Sequence, residues 1–94
     1  MVSAGAEANL GGVEMDKGMK IEYPDTPVWE PLQAAVGSRC REFMWMGKTG
    51  KIFLYKHIWT RRYLNLDMDG NAYRFTGERY EPLPLEEAIK YAFN

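Results

Sequence analysis

Ninety-four residues and 10.9 kDa provide for one small core, and a chain of this size buries only about 60 to 65 per cent of its unfolded surface, so a single domain helped by self-association is the expectation. Three Trp, six Tyr and four Phe beside a 27% charged fraction exclude a wholly disordered chain, and the single cysteine, Cys40, excludes the internal disulfides that staple small secreted domains. No apolar run has the length of a signal peptide core or a membrane span, so a soluble cytoplasmic protein without membrane contact is predicted.

The net charge of −1 is unevenly spread. From Ser38 to Arg79 nine cations stand against four anions, while the rest of the chain holds three cations against nine anions. Such a split suits a basic sheet surface that meets an acidic partner, and it equally suits solvated strands whose charges happen to be Lys and Arg.

Residues 1 to 18, with Gly11-Gly12, Gly18 and scattered Ala and acids, lack aromatic residues and periodicity and read as a flexible tail; a single domain spans 19 to 94. Met19 to Tyr23 alternates in polarity, leaving open an extra N-terminal strand. Pro31, the shared face of Leu32, Ala35 and Val36, and Gly37 as a stop predict a short helix over 31 to 36.

The strands come next. Residues 39 to 46 alternate, with Arg41, Phe43 and Trp45 on one side, before Gly47-Lys48-Thr49-Gly50 turns the chain. A four-residue loop aligns Trp45 with Ile52 and a three-residue loop aligns Met46 instead; the aromatic pair is placed inside. Pairing Lys56 with Arg62 aligns Leu54 with Leu64 and Ile52 with Leu66, and an Asp69-Gly70 turn pairs Leu66 with Tyr73 and Leu64 with Phe75. On this register Ile52, Leu54, Leu64, Leu66, Tyr73 and Phe75 form the core face. Phe53, Tyr55, Tyr63, Asn65, Asp67 and Arg74 form the opposite one, and Ile58 and Trp59 stand at a sheet end.

Gly77 and Pro82 read as turn residues. From Pro84, a stripe of Leu85, Ala88, Ile89, Ala92 and Phe93, with Glu86 and Glu87 in the first turn, predicts a C-terminal helix over 84 to 93. The predicted fold is α+β: a four-stranded antiparallel meander packed by the C-terminal helix and the short N-terminal helix.

Residues that could carry chemistry are few. His57, among Tyr55, Lys56, Arg61, Arg62 and Tyr63, could act as the base of a small nuclease with cations supporting the transition state, but it lacks a positioned second proton carrier; the alternative is an exposed turn histidine beside Trp59. Asp67 and Asp69 flank a turn without the later ligands of a calcium loop, and are turn residues. Cys40 has no base to activate it. No metal site and no cofactor is expected.

The run Leu54-Tyr55-Lys56-His57, Thr60-Arg61-Arg62-Tyr63-Leu64-Asn65-Leu66-Asp67, Asp69-Gly70 and Ala72-Tyr73-Arg74 resembles small bacterial proteins carried on integron gene cassettes. The resemblance spans about residues 40 to 82 and implies a compact α+β, often oligomeric, cytoplasmic accessory protein; it carries over no site residue.

Two functions follow, with a third behind them. The first is a non-enzymatic interaction or binding module that forms a homodimer through its aromatic sheet face or the Ile58-Trp59 loop. The second is a single-stranded nucleic-acid binder, in which Tyr55 and Tyr63 stack bases while Lys56, Arg61, Arg62 and Arg74 hold phosphates. The third is a ribonuclease-like toxin centred on His57. Tyr55, Lys56, Trp59, Arg61, Arg62, Tyr63 and Arg74 are the candidate binding residues.

Overall fold

The computed structural model describes residues 21–94 together with the backbone of Val13–Glu14. One antiparallel sheet holds β1 (Val13–Glu14), β2 (Phe43–Thr49), β3 (Ile52–His57), β4 (Tyr63–Leu66), β5 (Ala72–Phe75) and β6 (Arg79–Leu83) in the order β1-β6-β5-β4-β3-β2. Helices α1 (Glu30–Val36) and α2 (Leu85–Phe93) lie together on one face, and a 3-10 segment, Gly37–Glu42, leads from α1 into β2. The meander therefore has five strands, not the four predicted. The additional one, β6, carries Pro82, expected as a turn residue; a proline that cannot donate to a ladder is accommodated there because, among the described residues, β1 on the outer side of β6 pairs with Arg79 and Tyr80.

Both helices fall where apolar spacing and caps put them. Pro31 occupies the first turn of α1, and Gly37 closes it with a positive φ of 62°. In α2, Ala88 and Ala92 are buried and Glu86 and Glu87 occupy the first turn. Of the 19 to 23 segment, Met19 and Lys20 lie outside the described residues. The remainder contributes a single bridge, Glu22 to Lys48, closed by two backbone hydrogen bonds of 2.7 and 2.8 Å. The predicted tail also lies outside the described residues, apart from Val13–Glu14, which pairs with β6.

The predicted registers are each displaced. Arg39 to Glu42 belong to the 3-10 segment, so β2 begins at Phe43. The turn is Gly50-Lys51, with Thr49 opposite Ile52, and the ladder slips between Trp45 and Lys48. Gly47 sits in that bulge at φ 95°, where an added Cβ would run into the Glu22 carbonyl, so a larger residue would displace the Glu22 bridge. In the middle hairpin Lys56 pairs with Tyr63 and Tyr55 with Leu64. In the next, Asn65 pairs with Tyr73 and Leu66 with Ala72.

A slip of one residue exchanges the faces. Phe53, Tyr55, Leu64, Leu66 and Ala72 thus pack under the helices with Leu32, Phe43, Ala88 and Ala92, while Ile52, Leu54, Tyr73 and Tyr80 cluster on the other face. Phe75, predicted in the core, is 44% exposed. Tyr55, predicted on the open face, is fully buried; its ring stacks on Trp29 at 5.8 Å and its hydroxyl donates to the Val28 carbonyl at 2.6 Å. Burial holds the Tyr55 phenol protonated well above its ordinary range.

The β4–β5 turn is built by one carboxylate. Asp67 Oδ1 accepts the backbone N–H groups of Asp69 and Asn71 at 2.9 Å each, and its Oδ2 accepts Asn71 Nδ2 at 3.1 Å and the Tyr73 hydroxyl at 2.8 Å. The loop is accordingly longer than a two-residue Asp-Gly turn, and this shifts the register by one. Among the described residues no helix is long and apolar enough to cross a membrane.

Candidate cationic cleft

The β4–β5 ladder has two residue pairs, whereas β3–β4 and β5–β6 each have four. Beyond Asn65 and Tyr73, Tyr63 and Leu64 remain paired only to β3, and Arg74 and Phe75 only to β6, so the sheet opens at that end. Asn65 marks the point of opening. Its side-chain Nδ2 donates to the Tyr73 carbonyl at 3.2 Å, a local bond that competes with ladder pairing, and its buried Oδ1 has no partner among the described residues.

The split leaves a cleft of about 710 Å³, within the range of small-molecule and peptide sites. Its lining comes from both sides of the sheet because the strands have parted. Leu54, Tyr73 and Tyr80 come from one face; Leu83, Ala88 and Tyr91 come from β6 and α2. Arg61, Arg62 and Tyr63 enter from the β3–β4 loop and the start of β4, and Arg74 and Phe75 from β5. Tyr63, Phe75 and Tyr91 are 38%, 44% and 53% exposed, so each offers part of a ring to solvent.

Three cations against one carboxylate, Glu87, make this lining electropositive. The Arg62 guanidinium lies over the Tyr91 ring at 4.7 Å, a cation–π contact that holds the arm while leaving its N–H groups unpaired with carboxylates among the described residues. Arg74 approaches Glu81 at 4.0 Å, but Arg79 holds the same carboxylate at 3.2 Å. Arg61 is the one non-glycine among the described residues at positive φ, 67°. A side chain in that region costs about 1 to 3 kcal/mol and is held there by its surroundings.

Those surroundings centre on His57, which is buried and not an exposed turn residue. It is 2% exposed and packs edge-on against Phe43 and Phe93, each at 5.0 Å. Its Nδ1 accepts the backbone N–H groups of Trp59 and Thr60, both at 3.2 Å, so the ring proton sits on Nε2 and is donated to Glu42 Oε1 at 2.8 Å. Both nitrogens are engaged within the protein and the ring is enclosed. Glu42 is held in turn by Arg39 through two bonds of 3.0 Å, and these, with the His57 bond, keep its carboxyl below the ordinary carboxylate range.

Of the seven candidate binding residues, Arg61, Arg62, Tyr63 and Arg74 meet at the cleft. Lys56 stands beside it, with Nζ 5.8 Å above the Tyr63 ring. Tyr55 is in the core, and Trp59, 71% exposed, sits with Ile58 on the β3–β4 loop. Sequence reasoning missed Phe75, which it placed inside, and Tyr91. The latter had a legible signal: a large aromatic residue off the apolar stripe of α2. Cys40 is half-buried in the 3-10 segment, and among the described residues no three His, Cys, Asp or Glu side chains gather into a metal-binding group. Comparison with protein-family models, curated proteins and solved structures finds no match to the chain.

Proposed function

We propose that this protein is a non-enzymatic binding module and that its ligand is a segment of single-stranded nucleic acid seated in the β4–β5 cleft. The observation that carries the proposal is the meeting of three arginines with three partly exposed rings where the sheet opens. Arginine N–H groups match phosphate oxygens, and tyrosine and phenylalanine rings stack on bases of any sequence. The cleft holds about 710 Å³, which suits one or a few nucleotides and not a long tracked strand. The enclosed His57 favours binding over cleavage.

Fluorescence anisotropy with a short labelled single-stranded DNA of mixed sequence tests this. Three neutralised phosphates give a slope of about −2 in log affinity against log salt concentration. Binding that ignores salt, or no binding at low salt, rejects the proposal.

A second reading concerns self-association. The aromatic sheet face predicted to dimerise is largely core, since Phe53 and Tyr55 are buried, but the Ile58-Trp59 loop end is exposed at 37% and 71%. A homodimer joined there is expected to become monomeric on Trp59→Glu, as measured by light scattering during size exclusion. A wild-type protein that is already monomeric at high concentration rejects it.

A further inference from the structure

We infer that His57 is a positioning residue for the cleft, holding Arg61 and Arg62 at its mouth before any ligand arrives; the inference rests on the cleft being the binding site. The five residues after His57 contain neither Gly nor Pro, so no intrinsic turn chemistry fixes their path. The path is fixed by bonds that converge on one residue, two of them on its ring. His57 Nδ1 gathers the N–H groups of Trp59 and Thr60, its carbonyl accepts Arg61 N at 3.0 Å, and its own N–H donates to the Arg62 carbonyl at 2.9 Å.

The ring itself cannot rotate away. Nε2 is tied to Glu42, whose carbonyl also accepts Ile58 N at 2.9 Å, and Glu42 is gripped by Arg39. Arg39 is placed by the Phe93 ring, 3.8 Å below its guanidinium. Thr60 completes the frame, as its hydroxyl donates to the Ala92 carbonyl at 2.6 Å and accepts Arg62 N at 3.2 Å. The loop is thereby bolted to the end of α2 at the residue next to Tyr91, on which Arg62 rests. The left-handed backbone of Arg61 is the conformation this frame imposes.

The consequence for binding is preorganisation. Two long arginines that must be ordered on ligand arrival weaken affinity by about tenfold relative to arms already in place. His57→Phe keeps a flat ring among Phe43 and Phe93 but removes the acceptor. His57→Asn removes the ring and keeps an acceptor oxygen three bonds from Cα, as Nδ1 is, able to accept the same N–H groups as an Asx turn. Thr60→Val removes the hydroxyl without disturbing the buried ring.

The test pairs two measurements on the full chain of each variant: affinity for the labelled single-stranded DNA, and the ring-current shift that Tyr91 imposes on the Arg62 side-chain protons. The expected result is loss of the shift with a drop in affinity of about tenfold for His57→Phe and Thr60→Val, and retention of both, within about threefold, for His57→Asn. Should His57→Phe fail to fold, Thr60→Val carries the test alone. A folded His57→Phe or Thr60→Val that keeps the Arg62 shift overturns the inference. If wild-type protein does not bind the DNA, the cleft proposal falls, while the shift, which needs no ligand, still decides whether His57 positions the arm.

Discussion

Asp67→Ala is expected to lower the unfolding free energy by about 3 kcal/mol, read from urea denaturation at neutral pH. The carboxylate accepts four hydrogen bonds and is 2% exposed, and its removal leaves the hydroxyl of Tyr73, itself 8% exposed, without an acceptor. Each buried orphan costs about 1 to 3 kcal/mol, and the exposed Asp69 and Asn71 recover part of the loss from water. Asp67→Asn should cost less, since its oxygen still accepts the two backbone N–H groups while its amide faces Asn71 Nδ2 as donor against donor.

The pH dependence has a definite sign. Burial pushes the Asp67 carboxyl up, but the bonds from Tyr73, Asn71 and Asp69 outweigh it, and the folded-state value lies below the ordinary 3.8. As pH falls, the unfolded chain takes up the proton first, so the Asp67 contribution is whole above roughly pH 5 and is lost as pH drops through the folded value. Glu42 carries the same sign. The stability gap between wild type and Asp67→Ala should therefore narrow below about pH 4; a gap that stays constant down to about pH 2 contradicts the assignment. Tyr73 gives an independent readout. Burial and the Asp67 carboxylate push its phenol up to about 12, and in Asp67→Ala its ultraviolet titration should move toward the ordinary 10.0 without reaching it.

This turn also explains where the sequence was legible and where it was not. Helix periodicity has caps and a continuous stripe to anchor it, and both helices lie within a residue of their predicted bounds at every end. Strand periodicity had no such anchor in β3, where Ile52, Phe53, Leu54 and Tyr55 are all buried. A strand apolar on both faces does not say which face meets the helices, so turn lengths had to set the register. Those lengths depend on side chains acting as turn acceptors, His57 in one hairpin and Asp67 in the next, and on a bulge at Gly47, against which the Glu22 bridge packs. None of these is a dipeptide signal. Each is a tertiary choice made by a polar group needing a partner.

The site was legible to a different extent for a different reason. Arg61, Arg62, Tyr63 and Arg74 stand out in the sequence for residue type alone, and they meet because β4 and β5 part on the Tyr63–Leu64 side of Asn65, not because they share a face of a regular sheet. A strand-interior Asn is disfavoured in a ladder, which is the one local hint of the opening. Tyr55, with the same type and a neighbouring position, went to the core because a one-residue slip inverts its side.

Arg62→Glu is expected to weaken single-stranded DNA binding about 100-fold at low salt, and Arg62→Ala about tenfold. A charge-assisted bond to phosphate is worth about 1.5 to 3 kcal/mol, and reversal adds repulsion to its loss. Each of Arg61→Ala, Arg62→Ala and Arg74→Ala should reduce the salt slope by about 0.7, the share of one phosphate on a single strand. Arg41→Ala is the control, since that exposed cation lies outside the cleft lining. Tyr91→Leu separates the two roles of aromatic residues: it removes the support under Arg62 and a stacking surface but no charge, so affinity should fall several-fold while the slope stays near that of wild type. Equal losses for Arg41→Ala and Arg62→Ala would mean that net charge alone draws the nucleic acid, and the cleft would then have no special part in binding it.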